Sequence, residues 1–94
     1  MKVKMKYFAS LRELIGVGEE EYDVKDGTTL RELLVKYIPE KHKEAAGAWM
    51  ERIAGILKGD KEGYILIING NKADLNQRLD EGDVVALLPP VGGG

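Results

Sequence analysis

Residues 79–94 read LDEGDVVALLPPVGGG. Val84–Leu88 is an unbroken apolar run, set behind the polar turn Asp80-Glu81-Gly82-Asp83 and in front of two prolines. Five apolar residues bounded this way predict a strand, and one that belongs in the centre of a sheet. Pro89 and Pro90 fix φ and remove two backbone donors, so the sheet must end there and the exit is stiff. Val91, Gly92, Gly93 and Gly94 follow, and they bury almost nothing. The expected division is a domain over 1–88 and a flexible tail over 89–94, whose six residues reach at most ~20 Å. Glycine has no side chain, so such a tail threads a channel that a larger residue would block. The free carboxylate at its tip is a poor electrophile until activated, for instance as an acyl-adenylate. A terminal glycine on a rigid handle therefore suits delivery into another protein's active site.

Upstream of this stretch, YILIINGNKADL reads as an apolar strand, a turn at Asn69-Gly70 and a short return. Asn-Gly is a strong hairpin signal because both residues tolerate positive φ. At the other end of the chain, Lys2–Phe8 alternates strictly, giving a strand with Val3, Met5 and Tyr7 on one side. The next strand, GEEEYDV, carries Glu19, Glu20 and Glu21. Placed against the lysines of the first strand, they form a cross-strand charge ladder contributing roughly 0.2–1 kcal/mol per pair. Alternation sends Val85 and Leu87 inward with Leu66 and Ile68. Ala86, Leu88, Ile67 and Phe8 then share the opposite side, an apolar patch at the root of the tail that is expected to bind a partner.

Helical patterns lie between these strands. Ala9–Ile15 predicts one or two turns that stop at Gly16. Thr29 and Glu32 form a capping box ahead of the buried stripe Leu30, Leu33, Leu34 and Tyr37 or Ile38, and Pro39 is expected to end that helix. A second pattern over Glu44–Lys58 places Ala46, Trp49, Met50, Ile53, Ile56 and Leu57 on one face, with Trp49 expected in the core.

Composition narrows the function. The 94 residues carry a net charge of −2 and 44% hydrophobic content, which fits one globular domain. No basic excess points to nucleic acid, and no apolar run reaches membrane-spanning length. With no cysteine, disulfides, thiolate metal sites and thiol catalysis are all excluded. The expected location is the cytoplasm. The single serine, Ser10, and the single histidine, His42, would both be needed for a hydrolytic triad. His42, in PEKHKE, reads as a solvated surface residue. Gly16-Val17-Gly18 leads into glutamates and not into a helix, so it is no phosphate loop. Asp80, Glu81 and Asp83 lack the remaining ligands of a calcium loop and read as a polar turn. No metal site and no bound cofactor is expected, and the chain is not an enzyme by itself.

KYFASLRELIG, INGN and LDEGDVVALLPPVGGG, with their spacing, resemble the ubiquitin-like sulfur-carrier family over nearly the whole chain, in the branch of molybdopterin synthase small subunits. The resemblance implies an α+β fold of β-grasp type: a mixed sheet of four or five strands around one main helix, here with an additional helix. It implies that Gly94 is adenylated by an E1-like activating enzyme that uses ATP, and then thiocarboxylated through a sulfur-transfer protein. Gly92, Gly93, Pro89, Pro90 and Val91 would thread into the large subunit of molybdopterin synthase. There the sulfur passes to a cyclic pyranopterin precursor, building the dithiolene that holds molybdenum or tungsten. The residue before Gly-Gly is itself glycine, a departure that leaves the terminus intact, and nothing carries over onto Glu40–Gly63. Archaeal ubiquitin-like modifiers, which join the terminal glycine to lysines of other proteins, resemble the same family. So does the thiamin-pathway sulfur carrier, although LLPPVxGG favours the molybdopterin type. A plain β-grasp interaction module is what an inert Gly94 would leave.

Overall fold

In a computed structural model, which describes residues 1–60 and 63–89, the chain opens with β1 (Lys2–Lys6), α1 (Ala9–Ile15) and β2 (Glu19–Asp23). A continuous helical segment follows as α2 (Leu30–Glu32), a π-helical stretch (Leu33–Tyr37) and α3 (Ile38–Lys41). A 3₁₀ turn (Lys43–Ala45) leads into α4 (Ala46–Leu57), and β3 (Ile65–Ile68), β4 (Asn71–Lys72) and β5 (Val84–Leu88) complete the fold. The strands form one sheet in the order β2-β1-β5-β3-β4. β5 is central as expected, parallel to β1 and antiparallel to β3. The sheet is mixed, and its inner face (Val3, Met5, Tyr7, Val85, Leu87, Ile68) shares one core with Leu30, Leu33, Leu34, Ile38, Trp49 and Ile53. This is the β-grasp arrangement.

Local signals explain most boundaries. Gly16 ends α1 at φ 93°, and its N–H bonds the Arg12 carbonyl at 2.8 Å; a glycine there avoids the Cβ clash of the left-handed region. The Thr29–Glu32 capping box is formed in both directions. Asn69 and Gly70 adopt φ 51° and 83°, the pair of positive values that a type I′ turn requires. The Asn69 amide also bridges to the next turn, donating to Asp83 Oδ1 at 2.8 Å while its oxygen accepts from the Val84 N–H. Asp83 Oδ2 accepts from the Asp80 N–H at 2.8 Å. That carboxylate holds the turn ahead of β5, in keeping with the polar-turn reading.

Pro39 does not end its helix, contrary to expectation. The helix continues through it to Lys41, because the π-helical stretch widens the preceding turn. Ile38 N–H reaches back to the Leu33 carbonyl, one residue further than in an α-helix. Leu34 O is then left over: Ile38 N–H is already used, and Pro39, next in the π pattern, has no N–H. Trp49 Nε1 fills the gap, donating to Leu34 O at 2.8 Å from a fully buried indole. Its ring meets Tyr7 edge to face, 5.8 Å between centroids. Trp49 is core, and it also repairs the helix beside it.

Two charged residues depart from the sequence reading. Alternation turns Glu20 away from the lysine ladder and onto the inner side, where Tyr7 Oη donates to Oε2 at 2.6 Å and Tyr22 Oη at 2.5 Å. His42 is not a solvated surface residue: its Nε2 lies 2.6 Å from the same Glu20 oxygen, with the imidazole 20% exposed. Lys41 Nζ stands 3.5 Å from Glu20 Oε1. Burial by itself would raise the Glu20 carboxyl, but the bonds from Tyr22, Tyr7 and His42, with the His42 charge, outweigh it and hold the group below its ordinary value. Burial, reinforced by the Glu20 carboxylate, pushes both phenols above theirs. A carboxyl lowered by folding stabilises the fold above its ordinary value of 4.5, and that stability is lost as pH falls through the folded value. Glu20→Gln is therefore expected to cost about 1.5–3 kcal/mol at neutral pH. It should also flatten the loss of stability below about pH 4.5. Urea titrations across pH check both effects: equal stabilities at neutral pH would contradict the first, and a parallel shift of the two profiles would contradict the second.

Candidate functional site

The register of β5 places the root of the tail. Ile65 faces Leu88 and Ile67 faces Ala86 on β3, while Ala86 faces Lys6 on β1. Ile65, Ile67, Ala86 and Leu88 therefore share the outer face, opposite the buried Val85 and Leu87. Continuing the parallel β1–β5 register by two residues brings Phe8 level with Leu88. Phe8 is extended at φ −128° and ψ 155° and stands 39% exposed, one of the two large apolar side chains most open to water among the described residues. The next residue, Ala9, sits at φ 48°, a left-handed conformation costing about 1 kcal/mol for a residue with a Cβ. That bend turns the chain into α1 directly behind Phe8 and leaves the ring facing outward.

Three of the four predicted patch residues, Phe8, Ile67 and Leu88, are exposed or half-buried. The fourth, Ala86, is buried at 8% exposure. It lies on the predicted face, but a methyl group in the central strand is overtopped by the longer side chains around it, so it is the floor of the patch and not a contact standing proud. Ile65 was absent from the predicted set and belongs to it. The period of two from Ile67 would have found it.

At the same end of the sheet, Arg52 Nη1 donates to Ser10 Oγ at 2.8 Å, and Ser10 Oγ lies 3.3 Å from Tyr64 Oη. This chain of polar contacts ties α4 and α1 to the residue ahead of β3, which the antiparallel register sets beside Pro89. The corner from which the tail departs is thereby pinned by side chains as well as by the sheet. Nothing in the spacing of Ser10, Arg52 and Tyr64 announces this contact. Pro89 is half-buried at the end of β5. Pro90, Val91, Gly92, Gly93 and Gly94 lie outside the described residues. Among the described residues no group of three or more His, Asp or Glu side chains is placed to hold a metal ion. No helix there is long and apolar enough to cross a membrane.

Comparison with known proteins adds three likenesses and a family. The model of the ThiS family matches residues 5–94. The molybdopterin synthase sulfur carrier subunit of Chlamydomonas reinhardtii is 30% identical over 94 residues, covering all of both chains. The crystal structure of Haloferax volcanii small archaeal modifier protein 1 superposes with a TM-score of 0.74 at 27% identity, over 95% of this chain and 97% of that one. The complex of subunits 1 and 2 of the molybdopterin-converting factor of Helicobacter pylori contains a chain matched at a TM-score of 0.59 and 28% identity, with full coverage of both.

Proposed function

This chain belongs to the ThiS family, and we propose that it is a sulfur carrier for molybdenum- or tungsten-cofactor biosynthesis that works through Gly94. The observation that carries the reading is the placement of β5. The strand at the centre of the sheet is the last element before the glycine segment in the sequence, and an apolar patch lies beside its end at Leu88. The domain 1–88 is the handle, and 89–94 is what it delivers. In the first step the Gly94 carboxylate attacks the α-phosphorus of ATP, held by an E1-like enzyme, and pyrophosphate leaves. A persulfide carried by a sulfur-transfer protein then attacks the acyl carbon and AMP leaves; a thiol of that protein cleaves the resulting acyl disulfide, releasing the thiocarboxylate and leaving a disulfide behind. The large synthase subunit takes up Gly92, Gly93 and Gly94 behind Val91, with Pro89 and Pro90 stiffening the entry. Gly94 supplies the reacting atom, and the catalytic groups belong to the partners.

Phe8, Ile65, Ile67 and Leu88, over the Ala86 floor, form the surface on which the large subunit seats. The named assembly of the H. pylori relative supports a partner of this kind. Phe8→Glu is expected to weaken binding to the large subunit by at least ~2 kcal/mol, about 30-fold in Kd. Phe8 is 39% exposed, so unfolding midpoints measured on both proteins separate any loss of stability from the loss of binding. Titration calorimetry with equal affinities for the two proteins would remove the patch from the interface.

A second reading has its own support, the likeness to small archaeal modifier protein 1. In it the same adenylate is attacked by a lysine amine of another protein, and an isopeptide bond forms at Gly94.

A further inference from the structure

The outer face of the sheet carries charge as well as apolar surface. One transverse row reads Lys6, Ala86, Ile67, Lys72, each residue facing the next across neighbouring strands. Three strand spacings separate its ends, about 14 Å between the two lysine backbones. Glu19 is the register partner of Lys6, yet its carboxylate closes on Lys4 at 3.1 Å. Among the described residues, no carboxylate lies within ion-pair distance of Lys6 or Lys72. Their butyl stems extend the apolar surface around the buried Ala86, while the ammonium groups stay at its margins. Lys6 still acts on the Glu19 carboxylate through space, but neither lysine is closed into an ion pair among the described residues, and two such cations flank an apolar strip on a chain whose net charge is −2.

We propose that the surface of the large synthase subunit covering this patch is apolar at its centre and carries carboxylates on two opposite sides, set to meet Lys6 and Lys72. The proposal rests on the carrier reading and adds to it. Apolar contact is non-directional, so the patch alone would leave the carrier free to rotate on its partner. Two point charges on either side fix that rotation, and with it the direction in which β5 aims the tail. Opposite charges placed this way also steer the encounter.

The test is association of the full chain with the large subunit, followed by stopped flow at about 0.02 M and about 0.5 M salt. Lys6→Glu and Lys72→Glu are compared with Lys43→Glu, an equal change of charge on the 3₁₀ turn (Lys43–Ala45). Each reversal in the row is expected to slow association about threefold to tenfold at low salt, with the loss vanishing at high salt. The control should change the rate less than about twofold. If Lys6→Glu fails to fold, Lys6→Met keeps the stem and removes the charge alone. Rates that fall no further than the control's, or that rise on reversal, overturn the proposal and leave the carrier reading standing. A wild-type chain that does not bind the large subunit at either salt overturns both.

Discussion

Removal of Gly93 and Gly94 is expected to abolish ATP–pyrophosphate exchange with the cognate activating enzyme while leaving the unfolding midpoint unchanged. The two halves of this result have separate causes. Exchange requires the carboxylate of the last residue to reach the α-phosphate inside the enzyme, and each lost residue withdraws it by about 3.3–3.6 Å. A shortened chain still ends in a carboxylate, but it stands about 7 Å short and behind larger residues. Stability is indifferent because the buried core of the described residues ends at Leu87. Every hydrogen bond that fixes β5, and the Arg52–Ser10–Tyr64 chain at the corner, is retained. Exchange at the full rate by the truncated protein would show that Gly94 is not the activated group.

Trp49→Ala is expected to destabilise the fold by about 3–5 kcal/mol, the usual cost of emptying a buried aromatic site. Two contributions make up that loss, and Trp49→Phe separates them. Phenylalanine keeps most of the apolar volume and the edge-to-face contact with Tyr7, but it cannot donate to Leu34 O. A buried carbonyl without a partner costs about 1–3 kcal/mol. The carbonyl lacks a helical partner because of Pro39, so Pro39→Ala should cancel most of this penalty. Either the new N–H at position 39 reaches Leu34 O, or the stretch tightens to α-helical register and Ile38 N–H does so. A double-mutant cycle by urea unfolding, followed by far-UV dichroism, is expected to give a coupling of about 0.5–3 kcal/mol between the two sites. Strict additivity would mean that the indole bond and the proline are unconnected.

Much of this architecture is legible in the residues. The apolar run Val84–Leu88 between a turn and two prolines places the central strand, and Asn69-Gly70 places the hairpin. The period of two in β1 separates core from ladder. Thr29 and Glu32 mark the start of the main helix, since each of these signals is local and has one dominant physical meaning. The misreadings arise where a local rule meets a distant partner. Pro39 breaks helices on average, but here the π-helical stretch and an indole from a helix ten residues further along absorb the break. Glu20 reads as the middle of an acidic stripe until strand alternation is applied to it. Its partner His42 lies 22 residues away, a distance over which no pattern reaches. At the site, Phe8, Ile67 and Leu88 follow from alternation. The burial of Ala86 depends on side chains from neighbouring strands, and the Arg52–Ser10–Tyr64 contact on three separate elements, so neither has a signature in the chain.

The central claim is that Gly94 carries sulfur, and the form of the terminus in the native host tests it most directly. A carrier's adenylate is attacked by sulfur and the protein stays free, whereas a modifier's is attacked by a lysine amine and the protein becomes joined to another chain. The chain contains no cysteine, so sulfur acquired in this way must sit at the tip. Intact-mass analysis of protein purified from its native host is expected to show a population with one terminal oxygen replaced by sulfur, and that population should disappear on treatment with a thiocarboxylate-trapping azide. Absence of the thiocarboxylate, together with glycine remnants on lysines of other proteins and unimpaired pterin cofactor in a deletion strain, would contradict the account and establish the modifier reading in its place.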